Sequence, residues 1–464
     1  MQDAARQDIN GKYHFIGIGG IGMSALAFLA LDQGHRVCGS DVKDNDTLAA
    51  LRQRGAEIYI GHAASQIGDA IRVIYSTAID PLNPELTAAR KRGIPILRRA
   101  ELLAELMTGH AKITVAGAHG KTTTTAMTAH LLTAAGLNPT AYVGGIVQGG
   151  AAHGRWGQGS YFVAEVDESD GSFLCFTPDY SLITNIDKEH MDYYAAFADI
   201  VAAYAAFIAK TPRGGFLTAC GDDRILSDLI LRSGRRAVLY GFGPGNALTA
   251  SDVEMQAFGS VFFAVRQGQK LGPIRLNIPG RHNILNALAC ISLGLELSIP
   301  YPRIAASLES FTGVNRRFQR KGCVRDILII DDYGHHPTEI AATLAAAKTL
   351  GRRIIAVCQP HRYTRLQALM DEFAESFKSA DYVIVTDVYP ASEKPIPGVT
   401  GAALAARLIQ QPGAAAAYVP KAQVVSHAAS LARSGDLIIT LGAGDVTKMS
   451  DALVTLLGSF QYCA

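Results

Sequence analysis

Short apolar runs alternate with longer helical patterns along most of this chain. The runs near residues 13, 113, 161, 181, 327 and 354 each lead into a polar or glycine-rich segment. Continuous apolar runs without strict alternation are typical of parallel strands that helices cover on both faces. The repeated order of strand and helix therefore predicts an α/β fold with mostly parallel sheets. The length of 464 residues favours about three domains, and we predict them at 1–109, 110–320 and 321–464.

The segment GAHGKTTTT, residues 117–125, combines the features of a phosphate-binding loop. A short apolar run, Ile113 to Val115, precedes it, and Lys121 and Thr122 open an alanine- and leucine-rich helix. Glycines let backbone N–H groups approach an anion, the helix N-terminus and the lysine add positive charge, and a threonine hydroxyl can ligate Mg²⁺. The full P-loop pattern would place a further glycine at Val115, so this motif is a shortened one. The alternative is a glycine-rich turn with an incidental lysine.

A second glycine-rich segment lies near the start of the chain. A predicted strand, Tyr13 to Ile18, runs into GIGGIG at 17–22, and a helix is predicted from Met23 to Gln33. Asp41 ends the next predicted strand, as in dinucleotide-binding folds, where such a loop holds a diphosphate at a helix N-terminus. NAD is one ligand that fits this chemistry and a UDP-sugar is another. A purely structural Rossmann-like domain would need neither.

Acidic side chains follow two further predicted strands. EVDESD, residues 165–170, comes directly after a buried strand, and TNIDKEHMD, residues 184–192, follows the next one. Open α/β sheets bind ligands at the carboxyl ends of their strands, so we expect Glu165 and His190 to lie near the phosphate loop. Carboxylates and an imidazole in that position favour metal coordination. A solvated acidic loop and a structural histidine are the alternatives.

The C-terminal third brings histidines and arginines to the ends of two predicted strands. Strand Ile327–Ile330 precedes DDYGHHPTE, and strand Ile354–Cys358 precedes QPHRYTR. Arg362 and Arg365 can give directed hydrogen bonds to the carboxylate of a substrate.

Two asparagines stand just before a predicted helix, Ala287 to Leu297. Asn283 and Asn286 share one helix face and can bind an adenine edge or a ribose. Capping of the helix by Asn283 is the alternative.

Composition and charge narrow the function classes. The net charge is +2, so charge alone indicates no surface for nucleic acid or another polyanion. No apolar run reaches about 18 residues without charges or strong breakers, and the polar N-terminus has no signal-peptide core. We therefore expect no membrane association and a cytoplasmic location.

Taken together, these segments resemble the Mur ligases over nearly the whole chain. The shared motifs are GIGGIGMSALA (17–27), GAHGKTTTT (117–125), EVDESDGSF (165–173), TNIDKEHMDYY (184–194), GRHNILNALA (280–289), GVNRRFQ (313–319), DDYGHHPTEI (331–340), QPHRYTRL (359–366) and LGAGDV (441–446). The resemblance implies a Rossmann-like UDP-sugar-binding domain, a central P-loop-type ATP-binding domain and a Rossmann-like C-terminal domain that binds the amino acid. HHPTE and QPHRYTR are most similar to the members that add L-alanine or to their closest relatives. The resemblance therefore implies a ligase that uses ATP to join L-alanine to the carboxylate of UDP-N-acetylmuramate, through an acyl phosphate, in peptidoglycan precursor synthesis.

The resemblance also implies roles for individual residues. Those expected to bind ATP are Gly117, Ala118, His119, Gly120, Lys121, Thr122, Thr123, His282, Asn283, Asn286, Arg317 and Asp332. Those expected to bind the UDP-sugar are Gly17, Gly19, Gly20, Ile21, Gly22, Asp41, Ser76 and Thr77. Those expected at the amino-acid or substrate end are Tyr333, His335, Arg362 and Arg365. Two Mg²⁺ ions are implied, with Thr122, Glu165 and His190 as ligands, and the expected catalytic residues are Lys121, Glu165 and His190.

Two positions depart from the family pattern. Ala118 stands where the phosphate loop usually has threonine, and Glu189 precedes His190 where aspartate is more common. A loop built from backbone N–H groups should tolerate the first change, but ATP binding would weaken if the missing hydroxyl normally holds phosphate.

Three other functions stay open on the sequence. A related ligase that attaches a whole tripeptide to the same nucleotide sugar shares almost every motif. A nicotinamide-dependent oxidoreductase would explain only Gly17 to Asp41. A catalytically silent nucleotide sensor would not need Lys121, Thr122, Glu165 and His190 together. For the ligase we expect small-molecule substrates, no nucleic-acid or membrane partner, and a monomer or homodimer.

Overall fold

The computed structural model describes residues 11–148, 154–191 and 193–459. The chain forms two compact units, and each is described by itself. The first contains the chain up to Asp187 with Ala196–Thr249 and Asn286–Leu308; the second contains Lys188–Ala195, Ala250–Leu285 and the chain from Glu309. Within the described residues, no helix has the length and apolar character that crossing a membrane requires.

Five parallel strands open the first unit. Their spatial order is Glu57–Ile60, Arg36–Asp41, Lys12–Ile16, Arg72–Tyr75 and Ile96–Arg98. The connecting helices are Ile21–Asp32, Asp46–Gln53, the short 3₁₀ turn Ala64–Ile67, Pro84–Lys91 and Arg99–Leu106. The first strand of the chain is thus the central strand, and it is buried along its whole length. Its carboxyl end lies where the strand order reverses, which is where such sheets bind ligands.

The second sheet of this unit is also mainly parallel. Its strands, in spatial order, are Ala237–Gly241, Phe216–Cys220, Tyr180–Ile183, Ala111–Ala116, Tyr161–Glu165, Thr140–Tyr142 and Gly154–Arg155, of which the last pair is antiparallel. Its helices are Lys121–Ala134, the 3₁₀ turn Ser172–Cys175, Phe197–Lys210 and Arg224–Ser233; Arg281–Glu296 and Tyr301–Ser310 each continue across the unit boundary. Val115 pairs with Glu165, and Ala116 pairs with Ile183. This register aligns the ends of three neighbouring strands.

The second unit contains an antiparallel hairpin and a sheet of six strands. The hairpin is Gly259–Arg266 with Gln269–Leu276, and it follows strand Leu248–Gln256, which begins in the first unit. The six strands, in spatial order, are Gln319–Val324, Ile327–Asp332, Leu437–Leu441, Ile354–Cys358, Tyr382–Val385 and Ala416–Tyr418, with the first one antiparallel. The helices are Pro337–Lys348, Tyr363–Ala368, Met370–Ser376, Gly401–Ile409, the 3₁₀ turn Lys421–Gln423, Val424–Leu431 and Thr447–Ser459.

Helices cover both faces of this six-stranded sheet. Leu328 and Ile330 belong to one apolar cluster, whereas Ile327 and Ile329 belong to the cluster on the other face. Because successive side chains of a strand point to opposite faces, burial of both faces requires apolar residues at every position. The continuous apolar runs of the sequence have this cause, and the predicted α/β class with mostly parallel sheets is confirmed.

Polar residues at element ends caused two wrong boundaries. The helix predicted from Ala287 begins at Arg281, so Asn283 lies inside the helix and does not cap it. The strand predicted to end at Ile330 continues to Asp332, and both aspartates of that strand are buried. In each case a polar side chain interrupts the apolar pattern but finds hydrogen-bond partners within the fold. The hairpin Gly259–Leu276 was not predicted.

Candidate active site

The central glycine loop joins strand Ala111–Ala116 to helix Lys121–Ala134. Gly120 precedes the helix with a φ of +80°, a conformation that side chains with a Cβ rarely adopt. A Cβ at this position would also lie 2.7 Å from Oδ1 of Asn286. The backbone conformation therefore favours glycine here, and the Asn286 side chain lies against the loop.

Three residues that follow strand Tyr180–Ile183 hold this loop in place. The N–H groups of Ala118 and His119 donate to the carbonyl and side chain of Asn185, at 3.1 and 2.8 Å. The Thr184 hydroxyl donates to the His119 carbonyl at 2.5 Å, and His119 Nε2 lies 2.7 Å from Asp187. None of these contacts involves the side chain at position 118.

Lys121 is held beside the loop by a buried carboxylate. Its Nζ donates to the Gly117 carbonyl at 2.6 Å and to the two oxygens of Glu168 at 2.7 and 2.9 Å. Burial alone would lower the pKa of this ammonium, but the Glu168 and Asp167 carboxylates outweigh burial and raise it. The lysine is therefore positively charged at neutral pH.

Thr122 and Glu165 are brought together at the start of the same helix. The Thr122 hydroxyl donates to Glu165 Oε1 at 3.1 Å, and the Gly144 N–H donates to Oε2 at 2.8 Å. Burial raises the pKa of Glu165, and the nearby Lys121 only partly opposes this. A buried carboxylate beside a P-loop hydroxyl is a donor set that suits Mg²⁺, and a cation would relieve the burial of negative charge. These residues fit a Mg²⁺ ion.

The other acidic residues of segment 165–170 have different partners. Asp167 accepts from Arg99 Nη2 at 3.2 Å, and Asp170 accepts from the Thr77 hydroxyl at 3.2 Å. Both partners come from the N-terminal sheet region of the same unit. The segment thus contacts the phosphate loop through Glu165 and Glu168 and the N-terminal region through its two aspartates.

The N-terminal glycine loop, GIGGIG at 17–22, leaves the central strand of the first sheet. The N–H groups of Gly17 and Ile18 donate to the Ser40 carbonyl at 2.8 and 3.0 Å, and the Gly19 N–H donates to Asp41 Oδ2 at 2.9 Å. The Asp41 side chain therefore stabilises the conformation of the loop. The other residues expected to bind a UDP-sugar lie at the ends of the same or adjacent strands: Gly20, Ile21, Gly22, Ser76 and Thr77.

His282 and Asn283 begin the long helix Arg281–Glu296 in the second unit. Burial lowers the pKa of His282 to about 4, and the Arg317 charge acts in the same direction. The Asn283 amide donates to the Pro279 carbonyl at 2.7 Å. His190, also in the second unit, adopts a φ of +57°, a strained conformation that folds often retain at functional sites.

Two arginines of the second unit lie over the ring of Tyr333. The guanidinium carbons of Arg316 and Arg317 lie 4.9 and 5.1 Å from the ring centre of Tyr333, within range of cation–π attraction. Asp332 is buried beside this group and accepts from the N–H groups of Phe318 and Gly334, both at 2.7 Å. Burial raises the pKa of Asp332, with the Arg317 charge opposing the shift.

Two histidines, His335 and His361, lie after the carboxyl ends of two strands of the six-stranded sheet. The rings of His335 and His361 are 5.5 Å apart, and His361 stacks on Tyr389. Burial lowers the pKa of His335 to about 4 and that of His361 to about 3, so both are neutral at physiological pH. Positive charge in this cluster therefore comes from Arg362 and Arg365.

These two arginines face different protein carboxylates. Arg362 Nε lies 2.9 Å from Glu393, whereas Arg365 Nε lies 3.4 Å from Glu189. Arg365 also places Nη1 3.1 Å from His361 Nδ1. Arg362 has a φ of +71°, a strained backbone conformation that costs about 1–3 kcal/mol.

Comparison with known proteins accounts for this arrangement. Three family models match successive parts of the chain: "Mur ligase family, catalytic domain" at residues 12–111, "Mur ligase middle domain" at 115–294 and "Mur ligase, glutamate ligase domain" at 316–444. The chain belongs to the Mur ligase family. The matched regions correspond to the sheet that carries GIGGIG, the sheet that carries GAHGKT and the six-stranded sheet.

Relatives of this Mur ligase are similar over nearly their whole length. UDP-N-acetylmuramate–L-alanine ligase from Geotalea daltonii is 44% identical, with 96% of this chain and 97% of that protein covered. The protein of the same name from Nitratidesulfovibrio vulgaris strain DP4 is 46% identical, with 95% and 98% covered. The crystal structure of UDP-N-acetylmuramate–alanine ligase from Thermotoga maritima matches with a TM-score of 0.83 at 30% identity, over 97% of this chain and all of that one.

Several contacts of this Mur ligase were not found by sequence reasoning. Arg99, Tyr142 and Gly144 stand outside every recognised motif, although Arg99 follows a strand end, a position that could have drawn attention. Arg316 adjoins the predicted Arg317 and binds the carbonyl of Gly442 at 2.6 Å. No sequence pattern marks Tyr142, because only the tertiary fold brings it to GIGGIG.

Proposed function

We propose that this chain is an ATP-dependent ligase that joins L-alanine to the carboxylate of UDP-N-acetylmuramate, a step of peptidoglycan precursor synthesis. The observation that carries the proposal is the group Lys121, Thr122, Glu165 and Glu168 at a glycine loop. It occurs in a chain whose full-length relatives bear that name at 44% and 46% identity. ATP and the two substrates are small molecules, and domains at 1–109, 110–320 and 321–464 would bind the UDP-sugar, ATP and the amino acid.

The ATP site uses the central loop. The proposed contacts of the phosphates are the loop residues 117–120 together with Lys121, Thr122 and Thr123, while His282, Asn283, Asn286, Arg317 and Asp332 would contact the rest of ATP. Glu168 keeps Lys121 charged and directed at Gly117, so the ammonium lies at the loop that would hold the phosphates. Thr122 and Glu165 would hold one Mg²⁺, and His190 would contribute to a second. When bound, Mg²⁺ would neutralise phosphate charge.

The reaction requires an activated carboxylate, since a free carboxylate is a poor electrophile. A carboxylate oxygen of the acceptor attacks the γ-phosphorus, the bond to ADP breaks, and an acyl phosphate forms. The amine of L-alanine then attacks the acyl carbon, loses a proton and displaces phosphate. Lys121 stabilises the negative charge that develops on the transferred phosphoryl group.

The incoming amino acid is proposed to bind in the second unit, at Tyr333, His335, Arg362 and Arg365. Both histidines of this cluster are neutral, so they do not repel an ammonium group. The arginines offer N–H groups to the alanine carboxylate, in competition with Glu393 and Glu189. A ligand carboxylate would therefore share the two arginines with Glu393 and Glu189 or displace them.

A substrate matrix for phosphate release tests the proposal. The purified full chain is assayed with ATP and Mg²⁺ plus each combination of UDP-N-acetylmuramate, L-alanine and the tripeptide that the related ligase would use. We expect release that requires both UDP-N-acetylmuramate and L-alanine. Release that requires the tripeptide would move the function to the related ligase, and a spectral change with NAD(P)H without ATP hydrolysis would refute both.

A further inference from the structure

Gly22, the last glycine of GIGGIG and the third of the GxGxxG pattern, leaves room for a guanidinium group. A Cβ on Gly22 would lie 2.6 Å from Nη1 of Arg99 and 2.7 Å from the Tyr142 hydroxyl oxygen, so these two side-chain ends would have to move away from the loop. In dinucleotide-binding folds the third glycine serves close packing of helix and strand. In this chain the glycine makes space for a cation from another element.

Arg99 is fixed in this position from two sides. Nη1 donates to the Tyr142 hydroxyl at 3.1 Å, and Nη2 donates to Asp167 at 3.2 Å. Tyr142 in turn donates to the Gly22 carbonyl at 3.2 Å. Within the described residues, these contacts use two of the five N–H donors of Arg99, and its side chain is 25% exposed. A fixed, partly exposed guanidinium with unused donors is well suited to bind an anion.

The loop itself lacks the charge that a diphosphate needs. GIGGIG contains no basic residue, and Asp41 contributes a negative charge at the Gly19 N–H. The N–H groups from Gly17 to Gly20 already donate to acceptors within the protein. The first turn of helix Ile21–Asp32 still offers N–H groups without intrahelical acceptors, and Arg99 lies beside that turn.

We propose that Arg99 binds the diphosphate of the acceptor nucleotide and supplies the positive charge that GIGGIG lacks. Tyr142 and Asp167 act as positioning residues that hold the guanidinium at Gly22. This inference rests on the proposed function, because it takes a UDP-sugar as the ligand of the N-terminal loop. The alternative is that Arg99 only ties segment 165–170 to the N-terminal sheet region.

Titration of UDP into the full chain separates these roles. UDP carries the diphosphate but no carboxylate. We expect Arg99→Gln to weaken UDP binding roughly 10- to 100-fold, the range for a charge-assisted hydrogen bond, and to make the affinity less dependent on ionic strength. Arg98→Gln is the matched control, since Arg98 is the adjacent arginine and pairs with Glu101 at 2.9 Å. UDP affinity of the control should stay within about twofold, and ADP affinity should be unchanged in both variants.

Several outcomes would overturn the inference. UDP affinity within twofold of wild type in Arg99→Gln would leave Arg99 as a structural tie. Weaker binding of UDP-N-acetylmuramate with unchanged binding of UDP would assign Arg99 to the carboxylate and not to the diphosphate. If the wild-type chain binds no UDP, the proposed acceptor itself is wrong, which is a different failure.

A second measurement needs no variant and so covers the case in which Arg99→Gln does not fold. The wild-type chain is treated with phenylglyoxal, an arginine reagent, and modification is read by mass spectrometry at each arginine. We expect UDP to protect Arg99 and uridine not to protect it, with Arg98 as the internal control. Equal modification of Arg99 with and without UDP would contradict the proposal.

Discussion

The two glycine loops of the first unit obtain their positive charge in different ways. GAHGKT contains Lys121, and Glu168 from segment 165–170 holds this lysine in place. GIGGIG has no cation, and Arg99 reaches it from the start of another helix. A loop that supports phosphoryl transfer needs a cation fixed at the reacting phosphate, whereas a loop that only binds a diphosphate can take charge from a neighbouring element. Under the proposed roles, the GAHGKT motif contains its own cation, whereas the cation beside GIGGIG lies outside that motif.

The largest expected effect comes from removing Lys121, the cation of the GAHGKT loop. Lys121→Ala should lower the turnover number about 10³-fold or more, because the charge that stabilises the transferred phosphoryl group is lost. Steady-state phosphate release at saturating substrates measures the effect. Turnover within tenfold of wild type would contradict the role given to Lys121.

This variant needs a control for stability. Without Lys121, the Glu168 carboxylate, which is 3% exposed, is left buried without that partner. The double variant Lys121→Ala with Glu168→Gln removes the unpaired charge. Its thermal midpoint should lie above that of Lys121→Ala, while turnover should stay equally low.

A smaller effect is expected when a methyl group is added to the GIGGIG loop at Gly22. Gly22→Ala would push Arg99 and Tyr142 away, so the KM for UDP-N-acetylmuramate should rise about tenfold with a nearly unchanged turnover number. Gly458→Ala is the matched control, because it adds the same methyl group to a helix where nothing lies within 4 Å. A KM within twofold of wild type in Gly22→Ala would contradict the claim that Gly22 makes room for Arg99 to bind the nucleotide.

The cations at the two loops and the histidine pair of the second unit respond differently to pH. Lys121 and Arg99 keep their charge between pH 5 and 8, whereas His335 and His361 have pKa values of about 4 and 3 in the folded chain and about 6.5 when unfolded. Because the unfolded chain takes up these protons first, the free energy of unfolding should decrease as the pH falls below 6.5, down to about 4 for His335 and about 3 for His361. Between pH 7 and pH 5 the loss is on the order of 2 kcal/mol for each histidine.

Unfolding of the full chain at pH 7 and pH 5 measures this loss. The variant with His335→Gln and His361→Gln should lose less free energy of unfolding between the two pH values than wild type does. An equal loss in both proteins would show that the histidines are not buried as neutral groups.

The smallest effect is expected at the residue that departs from the family pattern. The Ala118 N–H donates to Asn185, and the Ala118 side chain takes no part in holding the loop. Ala118→Thr should therefore change the KM for ATP by less than about threefold. A tenfold lower KM would show that a hydroxyl at this position binds phosphate and that the reacting loop is incomplete in this chain.

The fold class and the order of strand, glycine loop and helix at GAHGKT could be predicted from the sequence for a physical reason. Strand, glycine loop and helix are contiguous, and the pairing of Val115 with Glu165 follows from parallel strands whose ends share one edge. The contacts of Arg99 could not be predicted in this way. Its partners Tyr142 and Asp167 lie 43 and 68 positions away in the chain, and only the packing of two sheet regions brings them to Gly22.

Sequence patterns also failed where polar side chains are satisfied inside an element. Asp331 interrupts an apolar strand but accepts hydrogen bonds from the hydroxyls of Thr440 and Thr447, at 2.6 and 2.7 Å. Such partners become visible only in three dimensions. The assignments of individual residues to ATP, UDP-sugar and amino acid remain predictions.

The separation of the two glycine loops is tested most directly by crossed titrations. UDP and ADP are each titrated into wild type, the Lys121→Ala/Glu168→Gln variant and Gly22→Ala. We predict that the Lys121 variant loses ADP affinity but binds UDP within about twofold of wild type, and that Gly22→Ala shows the reverse. Loss of UDP binding in the Lys121 variant, or loss of ADP binding in Gly22→Ala, would contradict the division of labour between the loops.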